Sequence, residues 1–300
     1  MNGMKATKSL TLTGALILAL LAGPASRAGN AQTLTLLSGS NISNNFSPEF
    51  PEASGLGLAK NRTTLWSVSD ANFTMYKMEL NSTAVESFTP TRASGAALIG
   101  TTDFEGVTFG PPPPNIVDDH FIYLVNEAEN SIVPVNYNTR KYYSQVPLSS
   151  MAGYTSVTCL GGDNKKVYEE FAGSDINSGL EGITWNGDLQ SFFVVKEKGP
   201  GLMIKISADL STITACRRLG FSGGDYSGIG YDPTRGQYWI VSDEAQAVYL
   251  YNWSTATSVR YPLGYDGGEG VSFNPDNSRL YIVTDNGGGN DSFLYTYRVQ

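Results

Sequence analysis

The sequence predicts an all-β chain folded as a β-propeller, with five blades favoured over six and the ring closed by an N-terminal strand. Three observations lead there: a short glycine motif recurs five times, an apolar strand ending in an acidic residue follows each copy, and the spacing between the two is nearly constant.

The motif reads Glu52-Ala53-Ser54-Gly55-Leu56, Asp103-Phe104-Glu105-Gly106-Val107, Gly179-Leu180-Glu181-Gly182-Ile183, Asp225-Tyr226-Ser227-Gly228-Ile229 and Gly267-Gly268-Glu269-Gly270-Val271. Its shared core is Ser or Glu, then Gly, then an aliphatic residue. The strands that follow end at Asp70, Glu127, Glu197, Asp243 and Asp285. From motif Gly to acid the steps are 70 − 55, 197 − 182, 243 − 228 and 285 − 270, each 15; the second repeat gives 127 − 106 = 21, lengthened by Pro111-Pro112-Pro113-Pro114. Fifteen residues suit a strand, a tight turn and a returning strand, and turn residues such as Asn186-Gly187 and Asp232-Pro233 fill the gaps.

Outer strands are expected at Met75 to Leu80, Ser131 to Tyr137, Met203 to Ser207, Ala247 to Tyr251 and Ser258 to Leu263. Three or four strands per repeat is the propeller pattern. The last repeat lacks a fourth strand, and Leu34-Thr35-Leu36-Leu37 is expected to supply it. The 76 residues from Gly106 to Gly182 exceed the next two steps of 46 and 42, so Lys141 to Asn177 holds either an insertion or a degenerate sixth blade.

Composition agrees with many short strands: 41% apolar residues, 33 glycines and only 16% charged residues. Residues 1–31 read as a signal peptide. Lys5 and Lys8 precede an apolar run from Leu10 to Leu21, and cleavage is expected after Ala28 or Ala31. The run is short for a bilayer span, and residues 32–300 then form a single propeller domain, secreted or periplasmic and monomeric. Removing three basic residues takes the net charge from −8 to 17 − 28 = −11. An acidic surface excludes nucleic acid and anionic membranes as partners and suits cations. Cys159 and Cys216 are the two cysteines; export permits a disulfide, but the sequence leaves their pairing open.

A hairpin places the start of its first strand beside the end of its second. The motif acids and those 15 positions on should therefore share one mouth of the channel: Glu52, Asp70, Asp103, Glu105, Glu127, Glu181, Glu197, Asp225, Asp243, Glu269 and Asp285. So many like charges need a counter-ion, and oxygen ligands favour Ca2+. His120, the single histidine, leaves little for zinc or a Ser-His-Asp triad, and reads as a surface residue between Asp118-Asp119 and a strand. Any one carboxylate also has a structural alternative, accepting hydrogen bonds from backbone N–H groups of the adjacent blade. The repeated Gly is expected to serve a backbone angle or a close approach at the axis.

The stretch Asn177-Ser178-Gly179-Leu180-Glu181-Gly182-Ile183, continued by Phe193-Val194-Val195-Lys196-Glu197-Lys198, resembles the SdiA-regulated family of bacterial propellers. Asp225-Tyr226-Ser227-Gly228-Ile229-Gly230-Tyr231-Asp232-Pro233 and Val241-Ser242-Asp243-Glu244 resemble its next repeat. The resemblance runs from about residue 50 to the C-terminus. It implies an exported five-bladed propeller that binds calcium, with no established reaction and with protein partners as in the distantly related NHL repeats. The four-proline insertion and Lys141 to Asn177 depart from the pattern. The esterase-like domain of phytases is similar in its Ser-Gly-Leu and Glu-Gly-Ile repeats, and propeller lactone hydrolases also place a metal at the channel mouth. The expected function is a calcium-binding propeller with a binding or envelope-associated role; the alternative is a calcium-dependent esterase, phosphoesterase or lactonase at that mouth.

Overall fold

Each step from motif Gly to acid folds into an antiparallel hairpin. In the computed structural model, which describes residues 32–46, 49–93, 102–175, 177–221, 224–285 and 291–300, these hairpins are the inner halves of five sheets. The expected signal segment, 1–31, lies outside the described residues.

The inner strands are Ala53–Leu58 (blade 1), Phe104–Phe109 (blade 2), Leu180–Asn186 (blade 3), Gly228–Asp232 (blade 4) and Gly268–Asn274 (blade 5). Each packs against the inner strands on both sides, and the set closes a ring. The second strands are apolar without alternation, as in Phe192-Phe193-Val194-Val195, because both faces are covered by neighbouring blades. Thr64–Ser69, Phe121–Asn126 and Ser191–Lys196 are buried along their whole length. Five apolar clusters fill the five joints between blades. Trp66 with Phe109, Tyr123 with Phe192, Phe193 with Tyr238, Trp239 with Phe273, and Val283 with Leu65 mark them in order. Each fully buried large side chain contributes about 1.5–3 kcal/mol, so the joints hold the ring together.

The ring closes as expected. Leu34–Asn41 pairs antiparallel with Phe293–Val299 as the outer strand of blade 5, from Leu34 opposite Val299 to Asn41 opposite Phe293. The other outer strands also form: Asn72–Glu79, Ser131–Asn136, Leu202–Ser207, Ala247–Asn252 and Thr257–Pro262.

Lys141 to Asn177 is an insertion and not a sixth blade. Its described residues carry two-residue strands at Lys141–Tyr142, Val146–Pro147 and Cys159–Leu160, a 3-10 turn at Leu148–Ser150 and a short α-helix, Val167–Phe171. Cys159–Leu160 lies parallel to the outer strand Ile213–Arg218 of blade 3, placing Cys159 opposite Cys216. The two cysteines form a disulfide with their Cα atoms 4.4 Å apart. Glu170 of the helix, buried at 3% exposure, accepts two hydrogen bonds from the Arg218 guanidinium at 2.7 and 2.8 Å. Among the described residues, no helix is long and apolar enough to cross a membrane.

The motif glycines form a collar at the axis. A Cβ on Gly55 would stand 2.5 Å from the Glu105 carbonyl oxygen of blade 2, and one on Gly106 2.7 Å from that of Glu181 in blade 3. On Gly182 it would meet the Ile229 nitrogen of blade 4 at 2.9 Å, on Gly228 the Glu269 oxygen of blade 5 at 2.4 Å, and on Gly270 the Ser54 oxygen of blade 1 at 2.5 Å. Of the two expected roles, close approach is the one these five residues serve, since none has a left-handed φ.

Candidate metal centre

The motif breaks strand register in four of the five blades. In blade 3, Leu180 faces Lys196 and Gly182 faces Val195, so Glu181 is an extra residue without a partner. In blade 5, Gly268 faces Thr284 and Gly270 faces Val283, which singles out Glu269. Blades 1 and 2 shift by one residue between Ala53 and Leu56 and between Phe104 and Val107. A β-bulge turns its extra side chain out of the ladder; here it releases Glu105, Glu181 and Glu269 toward the channel mouth.

Eight of the eleven expected acids line one cavity of about 300 Å³: Asp70, Asp103, Glu105, Glu127, Glu181, Glu197, Glu269 and Asp285. One oxygen each from Asp103, Glu105 and Glu127 lies within 4.8 Å of the others, and the same holds for Glu127, Glu181 and Glu197. Glu127 belongs to both triads, so the five acids form an arc across blades 2 and 3.

Glu52, Asp225 and Asp243 are not among the lining residues. Glu52 lies in left-handed backbone (φ 44°) just ahead of its strand, near enough to raise the pKa of Asp70. Asp225 is buried at 4% exposure and holds its own blade together. It accepts hydrogen bonds from the Ser242 hydroxyl at 2.7 Å, the Ser227 hydroxyl at 3.1 Å, and the Asp243 and Glu244 backbone N–H groups at 3.2 and 3.1 Å. Asp243 accepts from the Gly267 N–H of blade 5. Glu127 does the same for Gly179 of blade 3 at 2.8 Å while still facing the cavity. Gly267 is fixed as glycine twice over, with φ at 70° and a Cβ position 2.5 Å from the Asp285 carbonyl oxygen.

Burial is the main cause of the electrostatic state of the mouth. It drives Glu105, Glu181 and Glu269 well above the usual carboxylate range, and neighbouring acids add to the rise. A Ser54 hydrogen bond works against the rise at Glu105, and a Ser227 hydrogen bond at Glu269. Burial pushes Asp70 up to about 6 and Glu127 up to about 7, the latter opposed by the Gly179 N–H. Glu197 is also raised by burial, against its 2.6 Å ion pair with Lys198.

The donor set fits a hard cation. Every acid in the arc offers oxygen, and two carboxylate oxygens, Asp70 Oδ1 and Glu197 Oε2, are shut off from solvent without a hydrogen-bond partner. A cation held by the arc would satisfy its charge and Glu197 Oε2. Ser54 and Asn177, which also line the cavity, were not expected there. Lys198, another lining residue, and Lys196, fully buried with its amine pushed down to about 8 by burial, stand out in the sequence as the positive charges near the motifs but were not expected as site residues. Asn177 arrives on the insertion, so no repeat pattern points to it. Asp118, Asp119 and His120 gather three potential ligand atoms, but at the surface, where Asp118 is held by the Asn136 side chain and the His120 N–H.

Solved structures share the fold. The PQQ-bound aldose sugar dehydrogenase from Streptomyces coelicolor superposes with a TM-score of 0.50 at 14% identity, covering 90% of this chain and 98% of that one. A structural-genomics protein of unknown function from Bacteroides thetaiotaomicron superposes at 0.51 and 11% identity, covering 84% of this chain and 60% of that one. At such identities the likeness concerns the propeller alone. Among curated proteins, none matches the sequence. The sequence profile of the SdiA-regulated family matches residues 48–260, most of the propeller, and the chain belongs to that family.

Proposed function

We propose that the protein is an exported calcium-binding propeller whose acidic mouth holds Ca2+ in a binding or envelope-associated role. The observation that carries this reading is the arc Asp103–Glu105–Glu127–Glu181–Glu197, with Glu127 common to its two triads and Glu197 Oε2 left without a donor. Oxygen ligands at variable angles suit Ca2+ better than Mg2+, which demands a tighter octahedron. Bound Ca2+ would supply positive charge to carboxylates that burial otherwise keeps protonated. The export part rests on Lys5, Lys8 and the apolar run that follows them, with support from the Cys159–Cys216 disulfide, a bond that persists in oxidising compartments.

Calorimetric titration of chelator-treated protein tests the reading. Saturable Ca2+ binding is expected, weakened at least tenfold by Glu181→Gln, with Mg2+ a poor competitor. A flat titration together with a melting temperature indifferent to Ca2+ would remove it. Esters, lactones and phosphoesters assayed with Ca2+ present then decide whether the same mouth hydrolyses anything.

A further inference from the structure

The channel has a second mouth, at the opposite ends of the same inner strands. The glycine collar and the aliphatic residues beside it leave only about 10 Å³ of free space between the two mouths. Beyond the collar the channel opens into a cavity of about 400 Å³, larger than the acidic one and lined by all five blades. Among the described residues no Asp or Glu lines it, and the charged lining residues are Lys60 and Arg62. In a chain with 28 acidic and 20 basic residues, that reversal of sign sets this mouth apart.

We propose that this cavity binds a small organic anion with a flat apolar body, such as an aromatic carboxylate. The volume falls within the roughly 300–1,000 Å³ of small-molecule sites, which are mostly apolar with a few convergent polar groups. Trp185 and Tyr231, half-buried on adjacent blades, supply ring surface for a flat ligand, and Phe273 extends it on the next blade. Polar contacts come from the strands themselves. The Thr184 hydroxyl accepts from the Tyr231 N–H at 3.0 Å, and the Ser272 hydroxyl accepts from the Leu58 N–H at 3.1 Å. A hydroxyl that accepts in this way keeps a hydrogen to donate, which suits an anion.

At the rim, Lys60 meets Asp119 at 3.5 Å, and Arg62 pairs with Asp276. All four side chains are about half exposed or more, and exposed pairs of this kind are worth little. The two cations can therefore turn to a ligand carboxylate entering from solvent. Neither Asp119 nor Asp276 lines the cavity.

Calorimetry with 2-naphthoate as the probe, and 2-naphthylmethanol as its uncharged counterpart, tests the assignment on the full propeller with its disulfide intact. One saturable site is expected for the anion, with the alcohol weaker. Lys60→Glu/Arg62→Glu should weaken 2-naphthoate about tenfold or more and leave the alcohol unchanged. Asp119→Asn/Asp276→Asn should tighten 2-naphthoate severalfold. These positions are exposed, so the variants should keep the parent melting temperature, and their Ca2+ titrations should match the parent's. Absence of saturable 2-naphthoate binding at millimolar concentration overturns the proposal. So does equal affinity for anion and alcohol, or affinity untouched by reversing both charges.

Discussion

The Glu127 carboxylate of blade 2 accepts a hydrogen bond from the Gly179 backbone N–H of blade 3, 2.8 Å away. Asp243 of blade 4 makes the matching contact to Gly267 of blade 5. Both acids end a second strand, and both glycines stand two residues before a motif Glu. The acidic position thus clamps a blade to the strand that carries the next blade's mouth carboxylate. At Glu127 the same side chain also belongs to the arc of acids, so the clamp and the proposed cation contact fall on one group.

Charge and acceptor can be separated at that residue. Glu127→Gln keeps an oxygen to accept from Gly179 and should fold with nearly the parent melting temperature while losing Ca2+ affinity at least tenfold. Glu127→Ala strands the Gly179 N–H and should cost about 1–3 kcal/mol as well. Scanning calorimetry in chelator and a Ca2+ titration of both variants provide the check; equal melting temperatures for Gln and Ala would deny the clamp.

The collar predicts a graded response to alanine. Gly228→Ala and Gly270→Ala drive a methyl to 2.4 and 2.5 Å from the backbone of the next blade, which cannot move aside without opening the ring. Overpacking of this kind costs about 1–3 kcal/mol or more. Gly187→Ala meets its nearest neighbour, Trp185 Nε1, at 3.7 Å and should be close to neutral. Denaturant melts of the three variants should rank accordingly, and a neutral Gly228→Ala would mean that the blades do not meet this closely.

Proton linkage at the mouth gives a further expectation. Asp70 and Glu127 hold their protons to about 6 and about 7 in the folded state, above their ordinary values of 3.8 and 4.5. Groups shifted upward stabilise the fold fully below their unfolded pKa, and that stabilisation is lost as pH rises through the folded value. The metal-free protein should therefore melt higher at pH 5 than at pH 8. Saturating Ca2+ favours the ionised carboxylates and should reverse the order. Asp118 and Asp209, which hydrogen bonds hold below the usual range, act in the opposite sense only below about pH 4, outside this window. Melting curves at the two pH values, with and without Ca2+, decide it; a metal-free protein that gains stability steadily toward pH 8 would contradict the buried acids.

Much of the ring was legible because a propeller repeats itself. The motif Gly, the acid 15 positions later and the apolar run between them each reflect a constraint that every blade meets: the collar, the shared mouth and a strand covered on both faces. The expected N-terminal closure followed from a missing strand in the last repeat. What single positions do was less visible. Asp225 matches the motif acid Asp103, yet four local donors hold it inside blade 4, because Ser242 and Ser227 flank it there. The bulges at Glu181 and Glu269 are register shifts, which composition does not display, although Gly directly after Glu in a strand hints at them. The insertion was opaque for a different reason. Its strands are two residues long, and its order comes from distant partners, Cys216 and Arg218, on the far side of blade 3.

Closure of the ring by Leu34–Asn41 makes its own prediction. This strand is the fourth of blade 5 and pairs along its length with Phe293–Val299, apart from one irregularity between Leu36 and Ser38. Its removal would bare the edge of Phe293–Val299 and uncover the joint where Tyr297 and Val299 pack with Leu280 and Ile282. In a ring each blade is held from both sides, so loosening blade 5 weakens its joints with blades 4 and 1 together. Deleting residues 32–40 should therefore abolish the single cooperative unfolding transition rather than lower it by a few degrees. Alanine at the exposed Leu37 alone should change the midpoint little, because it keeps the backbone pairing. Thermal unfolding followed by far-ultraviolet circular dichroism separates the cases, and an unchanged cooperative melt after the deletion would show that the ring does not depend on this strand.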